Sequence, residues 1–214
     1  MRDEEFLRRV RIHAGELELA AYTPADGDDY LSFMSSLQLW DDPDVPYFFP
    51  WFRAFATDPE GQAHKSLERI ASCVDELNPD IWDVPLLVRY RGHIIGKQDI
   101  RALKFARTRT ISTASMLDLR YQGRGFGKLM RRAVLIVAFD HLGAQRAYTG
   151  AHQENMASRG VSLACGYRPV PLGDLPPLAE EIRPVDHDYF CVTPHSLNRA
   201  GVVVELSGLP SPAS

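Results

Sequence analysis

Cysteine is scarce in this chain, with three among 214 residues, Cys73, Cys165 and Cys191, none close to another. An odd, scattered set builds no disulfide framework, and the expected setting is a reducing cytoplasm. An excess of one charge is also lacking. Lys and Arg number 24 against 28 Asp and Glu, for a net charge of −4 and an isoelectric point near 6.0. That balance gives no broad basic field, so nucleic acid is not an expected partner, although a local basic patch is compatible with it. Long apolar runs are missing as well. The longest, residues 133–139, falls far short of the roughly 20 residues needed to span a bilayer, and residues 1–11 mix charged with apolar side chains without a signal-peptide core. No membrane association is expected. With no internal repeat and no composition break, residues 1–214 read as one domain, with 208–214 as a frayed tail.

What is present reads as alternating strands and helices around an ordinary apolar content of 45%. Strands are expected at 16–22, 84–90, 94–103, 109–119, 146–151, 167–170 and 187–193, with 201–206 as a further terminal one. Arg91, Gly92 and His93 form a hairpin turn between the second and third. Helical spacing marks 29–39, 62–77, 129–142 and 155–165, with Gly143 and Gly166 as stops for the last two. Residues 40–55 carry Trp40, Tyr47, Phe48, Phe49, Trp51, Phe52 and Phe55 among prolines that break any helix. A second proline-rich stretch, 169–184, is long for a compact domain, and such loops are commonly functional or mobile.

The most informative segment runs from Leu117 to Lys128. A strand feeds a turn with Gly123, Gly125 and Gly127, and the turn feeds an apolar-striped helix. Glycines let main-chain N–H groups converge, and at the positive end of a helix those donors suit a phosphate. Arg124 and Lys128 add charge, with Arg131 and Arg132 a turn later in reach of an outer phosphate. On spacing alone the same segment also reads as a tight turn before a packing helix. Two other phosphate loops are excluded by count. Gly127-Lys128 is followed by Leu129 rather than Ser or Thr, and the sixth position from Gly123 or Gly125 is Lys128 or Met130 rather than glycine.

Gln122-Gly123-Arg124-Gly125-Phe126-Gly127 resembles the Gln/Arg-x-x-Gly-x-Gly/Ala signature of GNAT acyltransferases. About thirty residues on, Asn155-Met156-Ala157-Ser158 and Ala164-Cys165-Gly166-Tyr167 resemble that family's Asn-x-x-Ser helix and its Gly-Phe/Tyr end. The resemblance covers roughly 83–193. Residues 43–51 look like the branch of ribosomal-protein N-terminal acetyltransferases, RimJ/RimL-like and actinobacterial-looking. It implies an α/β (α+β) GNAT fold, a mixed and mostly antiparallel sheet of about seven strands splayed at the cofactor cleft and flanked by helices. It implies transfer of an acetyl group from acetyl-CoA to a primary amine, either a peptide N-terminus or a small molecule, by direct attack and without a metal. A succinyl or other acyl donor, or a catalytically silent acyl-CoA-binding module, are the alternatives. Monomer and homodimer are both compatible.

The same resemblance assigns a site. Met116, Leu117 and Asp118 would pair with the pantetheine arm, and Gln122, Gly123, Arg124, Gly125, Phe126, Gly127 and Lys128 would hold the pyrophosphate. Asn155 would bond a pantetheine amide, although Asn is equally favoured as a helix N-cap. No tyrosine lies between Asn155 and Gly166, so Ser158 stands in as the acid, its alternative being a helix-surface hydroxyl. His152 is the candidate base, alternatively an inert loop imidazole, and Ser112 or Ser115 would order a water in its place. Asp186, His187 and Asp188 are further candidates. Cys165 raises an acyl-cysteine route but reads more simply as a packing residue. Asp41, Asp42, Asp44, Glu180 and Glu181 would attract a cationic amine if they flank the acceptor channel.

Overall fold

The computed structural model describes residues 1–39, 54–178 and 184–209. Its centre is a single sheet of nine strands among the described residues, ordered β7-β8-β6-β5-β4-β3-β2-β1-β9. The strands are β1 (Arg11–Ala14), β2 (Leu17–Ala21), β3 (Ile81–Tyr90), β4 (His93–Leu103), β5 (Thr110–Leu117), β6 (Arg146–His152), β7 (Arg168–Val170), β8 (His187–Val192) and β9 (Glu205–Ser207). Only β5 and β6 run parallel; every other pair is antiparallel. The strand expected near the C-terminus is β9, shorter and later than 201–206, and it closes on β1 at the edge; β1 is the unexpected addition, its four residues too few to declare a period. The β3–β4 hairpin turns where expected, with Arg91 at φ 51° and Gly92 at φ 82°, the paired positive angles of a two-residue turn.

Side chains alternate across the sheet and sort two cores. On one face, Leu86, Val88, Ile95, Ile111 and Leu117 pack with helix α1 (Asp3–Arg9) and helix α5 (Phe126–Asp140). On the other, Leu87, Ile94 and Met116 pack with α2 (Gly27–Ser35) and α3 (Pro59–Asp75). A short helix α4 (Phe105–Thr108) connects β4 to β5, and α6 (Met156–Ala164) follows β6. α5 is the most deeply set helix, with every residue from Ala133 to Phe139 buried. Val161 of α6 touches it at Gly127, where an added Cβ would lie 3.4 Å from Val161 Cγ2.

One register change positions the site. β5 and β6 pair only at Thr110↔Arg146, Ile111↔Ala147 and Ser112↔Tyr148, after which β5 continues with β4 and β6 continues with β8 as far as His152. From Thr113 onward the two strands part, leaving a wedge with one unpaired edge of β5 along it. Gly96 holds the opposite edge close, since a Cβ there would collide with the Met116 carbonyl oxygen. Gly96→Ala should therefore push β4 off β5 at a cost of about 1–3 kcal/mol, read as a Tm drop of roughly 2–4 °C per kcal/mol for a domain of this size.

Candidate active site

The wedge ends at the glycine turn. A short 3-10 turn, Leu119–Tyr121, carries the chain from β5 into residues 122–125, and α5 starts at Phe126. Gly123 and Gly125 have φ of 73° and 85°, in the left-handed region that favours glycine, and an added Cβ at either would meet nothing within 4 Å. The first intrahelical bond of α5 runs from Leu129 N–H to the Gly125 carbonyl at 3.0 Å. The amides of Phe126, Gly127 and Lys128 thus have no acceptor in the helix, and no main-chain acceptor among the described residues takes those of Gly123, Arg124 or Gly125. These six donors converge at the positive end of a fifteen-residue helix.

Gln122 departs from the expectation that grouped it with these donors. Its amide bonds the Leu119 carbonyl at 3.1 Å, and its side-chain amide donates to Leu117 O at 2.9 Å and Leu39 O at 3.3 Å. Gln122 staples the turn to the strand end. Arg124 lies over Phe126, Tyr90 and Tyr121, 4.8, 5.0 and 5.8 Å from the ring centroids, a shelf that holds its charge beside the turn. Lys128 is exposed in the first turn of α5. Arg131 and Arg132 do not reach outward for a phosphate. Arg132 donates to the Asn198 and Ala164 carbonyls, and Arg131 is buried under the wedge.

Strand parity corrects the expected pairing edge. Asp118 N–H bonds Ile95 O of β4 at 2.9 Å. Main-chain groups alternate along a strand, so Met116 also faces β4, while Leu117, Ser115 and Thr113 face the wedge. Of the expected Met116, Leu117 and Asp118, only Leu117 presents its N–H to the open side, its carbonyl being taken by Gln122. Ser115, two residues back, presents both groups. Asp118 is instead a structural anchor with a fully buried side chain. It accepts from Arg120 N at 2.9 Å, Arg120 Nε at 2.8 Å, Arg120 NH2 at 2.7 Å and Gln38 N at 3.3 Å. Burial by itself would raise its carboxyl, but the bonds from Arg120 and the Gln38 amide outweigh burial and hold it below the usual range.

Asn155 is the N-cap of α6, its Oδ1 accepting from Ser158 N–H at 3.0 Å. The cap fixes the amide and leaves its NH2 with no partner among the described residues, so the capping and ligand roles coexist. The half-buried Ser158 begins the same helix, and its carbonyl accepts from Ser162 Oγ. Ser112 is 3% exposed at the last position where β5 pairs with β6. His152 ends β6. Its Nδ1 accepts from the Glu154 amide at 3.1 Å, and its Nε2 lies 3.5 Å from Asp186 Oδ2. A neutral imidazole in this arrangement holds its proton on Nε2, and to act as a base it would have to release the Glu154 amide from Nδ1. His187 Nδ1 sits 2.8 Å from the other Asp186 oxygen, and Asp188 pairs with Arg159 at 2.9 Å. Cys165 is fully buried, and burial pushes its thiol up despite nearby cations, the state of a packing residue. Residues 40–53 and 179–183, which include the aromatic segment and all five acids expected at the acceptor side, lie outside the described residues.

Residues 16–168 match the acetyltransferase (GNAT) domain family. The chain belongs to that family. Three solved structures share its fold. A protein of Vibrio cholerae assigned as a ribosomal-protein-serine acetyltransferase is 18% identical, with a TM-score of 0.60 over 86% of this chain and 97% of its own. Mycobacterium smegmatis RimJ, determined with CoA-disulfide, is 13% identical, with a TM-score of 0.61 over 88% of each chain. The ribosomal-protein-S5-alanine acetyltransferase of Vibrio fischeri is 17% identical, with a TM-score of 0.57 over 86% of this chain and 96% of its own. This GNAT acetyltransferase has no metal-holding group of His, Cys, Asp or Glu among its described residues, and no described helix is long and apolar enough to cross a membrane.

Two outcomes check this geometry. Since the folded Asp118 carboxyl lies below the unfolded value of about 3.9, its contribution to stability is present above that value and is lost as pH falls through the folded one. A melting series from pH 6 to pH 2 should show Asp118→Asn less stable than the parent at the upper end and converging with it at the lower. His152→Ala should retain turnover within a few-fold, because general base catalysis is worth roughly 10²–10⁴-fold; a loss that large would reinstate His152.

Proposed function

We propose that this enzyme transfers an acetyl group from acetyl-CoA to the α-amino group of a peptide or protein. The observation that carries the reading is the continuity of the wedge with the glycine turn. An extended ligand paired along the open edge of β5 delivers its far end to the uncommitted amides of residues 123–128. Coenzyme A has that layout, a peptide-like arm joined to a diphosphate. The Leu117 N–H and the Ser115 main chain would take the arm, the Asn155 NH2 its amide from the opposite wall, and Arg124 and Lys128 the diphosphate charge. RimJ with CoA-disulfide and the S5-alanine enzyme, which share the fold, support the choice of donor and of a protein N-terminus as acceptor.

The chemistry is attack of a neutral amine on the thioester carbonyl, loss of one amine proton, and departure of coenzyme A sulfur. Two arms meeting at a fixed wedge supply orientation, worth several orders of magnitude in rate. With its lone pair on the Glu154 amide, His152 leaves the amine proton to water in the wedge, beside Ser112 and Ser158.

Gly125→Glu and Gly125→Ala separate charge from backbone strain, because both place a Cβ at φ 85°. Gly125→Ala should weaken coenzyme A binding modestly, and Gly125→Glu should abolish it in calorimetry while the protein stays folded. Equal affinities for the two would remove the diphosphate from the turn. Acetyl transfer to peptides beginning with Ala or Ser, compared with the same peptides blocked at the N-terminus, tests the acceptor.

A further inference from the structure

Arg131 is 2% exposed and has no carboxylate partner among the described residues. Among the described residues its side-chain hydrogen bonds go to neutral acceptors. Nε donates to Gln98 Oε1 at 3.2 Å, NH1 to Thr149 Oγ1 at 3.2 Å and NH2 to Ser115 Oγ at 2.8 Å, and the guanidinium lies 5.9 Å from the Tyr167 ring centroid. Ser115 is on β5 and Thr149 on β6, so the guanidinium bridges the two strands where they have parted. Buried charges are ordinarily paired, because removing one from water without compensation is costly. An unpaired cation kept at this point holds a positive potential under the wedge.

The hydroxyls around it are not equivalent. Thr149 accepts from Arg131 and spends its own proton on the Thr113 carbonyl at 2.9 Å. Thr113 Oγ1 is engaged with Tyr167 OH at 2.9 Å. Ser115 accepts from Arg131 and gives its proton to no acceptor among the described residues, although its side chain is exposed. With the guanidinium on its oxygen, the remaining O–H is polarised, and it stands beside the stretch of β5 whose main chain faces the wedge.

We propose that Ser115, charged by Arg131 behind it, donates a hydrogen bond to the coenzyme A sulfur as the thioester breaks. This deepens the acyl-CoA reading of the wedge and rests on it. The amine nitrogen bonds to the carbonyl carbon, the carbon–sulfur bond breaks with its electron pair on sulfur, the amine proton passes to water, and coenzyme A departs as a thiolate held by the Ser115 O–H. Ser115 is the catalytic residue and Arg131 its positioning residue. No redox step and no added co-reactant are involved.

The test reads the sulfur directly. Calorimetric affinities of coenzyme A and desulfo-coenzyme A are compared from pH 6 to pH 10. Titratable groups beside Arg131 are Tyr167, Cys165 and Lys128, while Tyr148 and His152 of β6 alternate to the face opposite Thr149; the titration of these groups is common to both ligands. A stabilised thiolate lowers the bound thiol pKa, so coenzyme A should gain affinity over the desulfo compound as pH rises. Ser115→Ala should shift that gain upward by about one to two pH units. It should lower kcat roughly tenfold to a hundredfold with KM for acetyl-CoA unchanged within about twofold. Ser115→Thr should recover most of both, and Arg131→Lys, if it folds, should move the pH profile as Ser115→Ala does. If the parent binds neither compound, the wedge is not a coenzyme A site and both readings fall. If the parent binds both with identical pH profiles, or Ser115→Ala leaves profile and kcat unchanged, the Ser115 role falls and the binding site stands.

Discussion

The parting of β5 from β6 after three paired residues is the constraint from which the rest of the structure follows. Strands that separate inside a sheet leave main-chain donors and acceptors without partners, and each left dry would cost free energy. Here the loss is limited at both ends. Gln122 takes the Leu117 carbonyl at the mouth, and Thr149 takes the Thr113 carbonyl at the apex. Between them, the run centred on Ser115 keeps main-chain groups with no partner among the described residues. A bound extended ligand would satisfy those groups, and the proposed binding edge would then be a ladder left incomplete.

Charge is arranged to the same end. The chain is acidic overall, yet Arg124, Lys128 and Arg131 are grouped at one helix start with no carboxylate partner among the described residues, while other arginines are spent on pairs such as Arg120 with Asp118 and Arg199 with Asp140. Net charge predicted nothing about this site. A local field outweighs the average where a cation such as Arg131 is buried, because screening by water is weakest there.

Much of the frame was legible because it rests on period and punctuation. The β3–β4 hairpin, the glycine turn, α5 and the Asn155 helix all lie within a few residues of where spacing placed them. The errors have physical causes. Which edge a strand residue presents depends on the register of its partner, and no pattern in residues 116–118 shows that Asp118 bonds Ile95 rather than the open side. Gln122 reads as a phosphate-loop residue until its side chain is seen to turn back. Arg131 left one mark in the sequence, a cation between Met130 and Val134 on an otherwise apolar stripe, which by itself does not separate an outward phosphate ligand from a buried strut. Ser115 left none beyond being a hydroxyl on a strand.

The contact of Gly127 with Val161 carries a mechanical consequence. It seats the start of α5 directly on α6, and Asn155 caps that second helix. The two jaws that would grip opposite ends of the pantetheine arm are therefore joined directly through packed helices. Such a calliper has a fixed gauge. It would set the length of whatever is held between a diphosphate and an amide; alanine at 127 would meet Val161 at van der Waals contact, and a bulkier side chain would push the two helices apart.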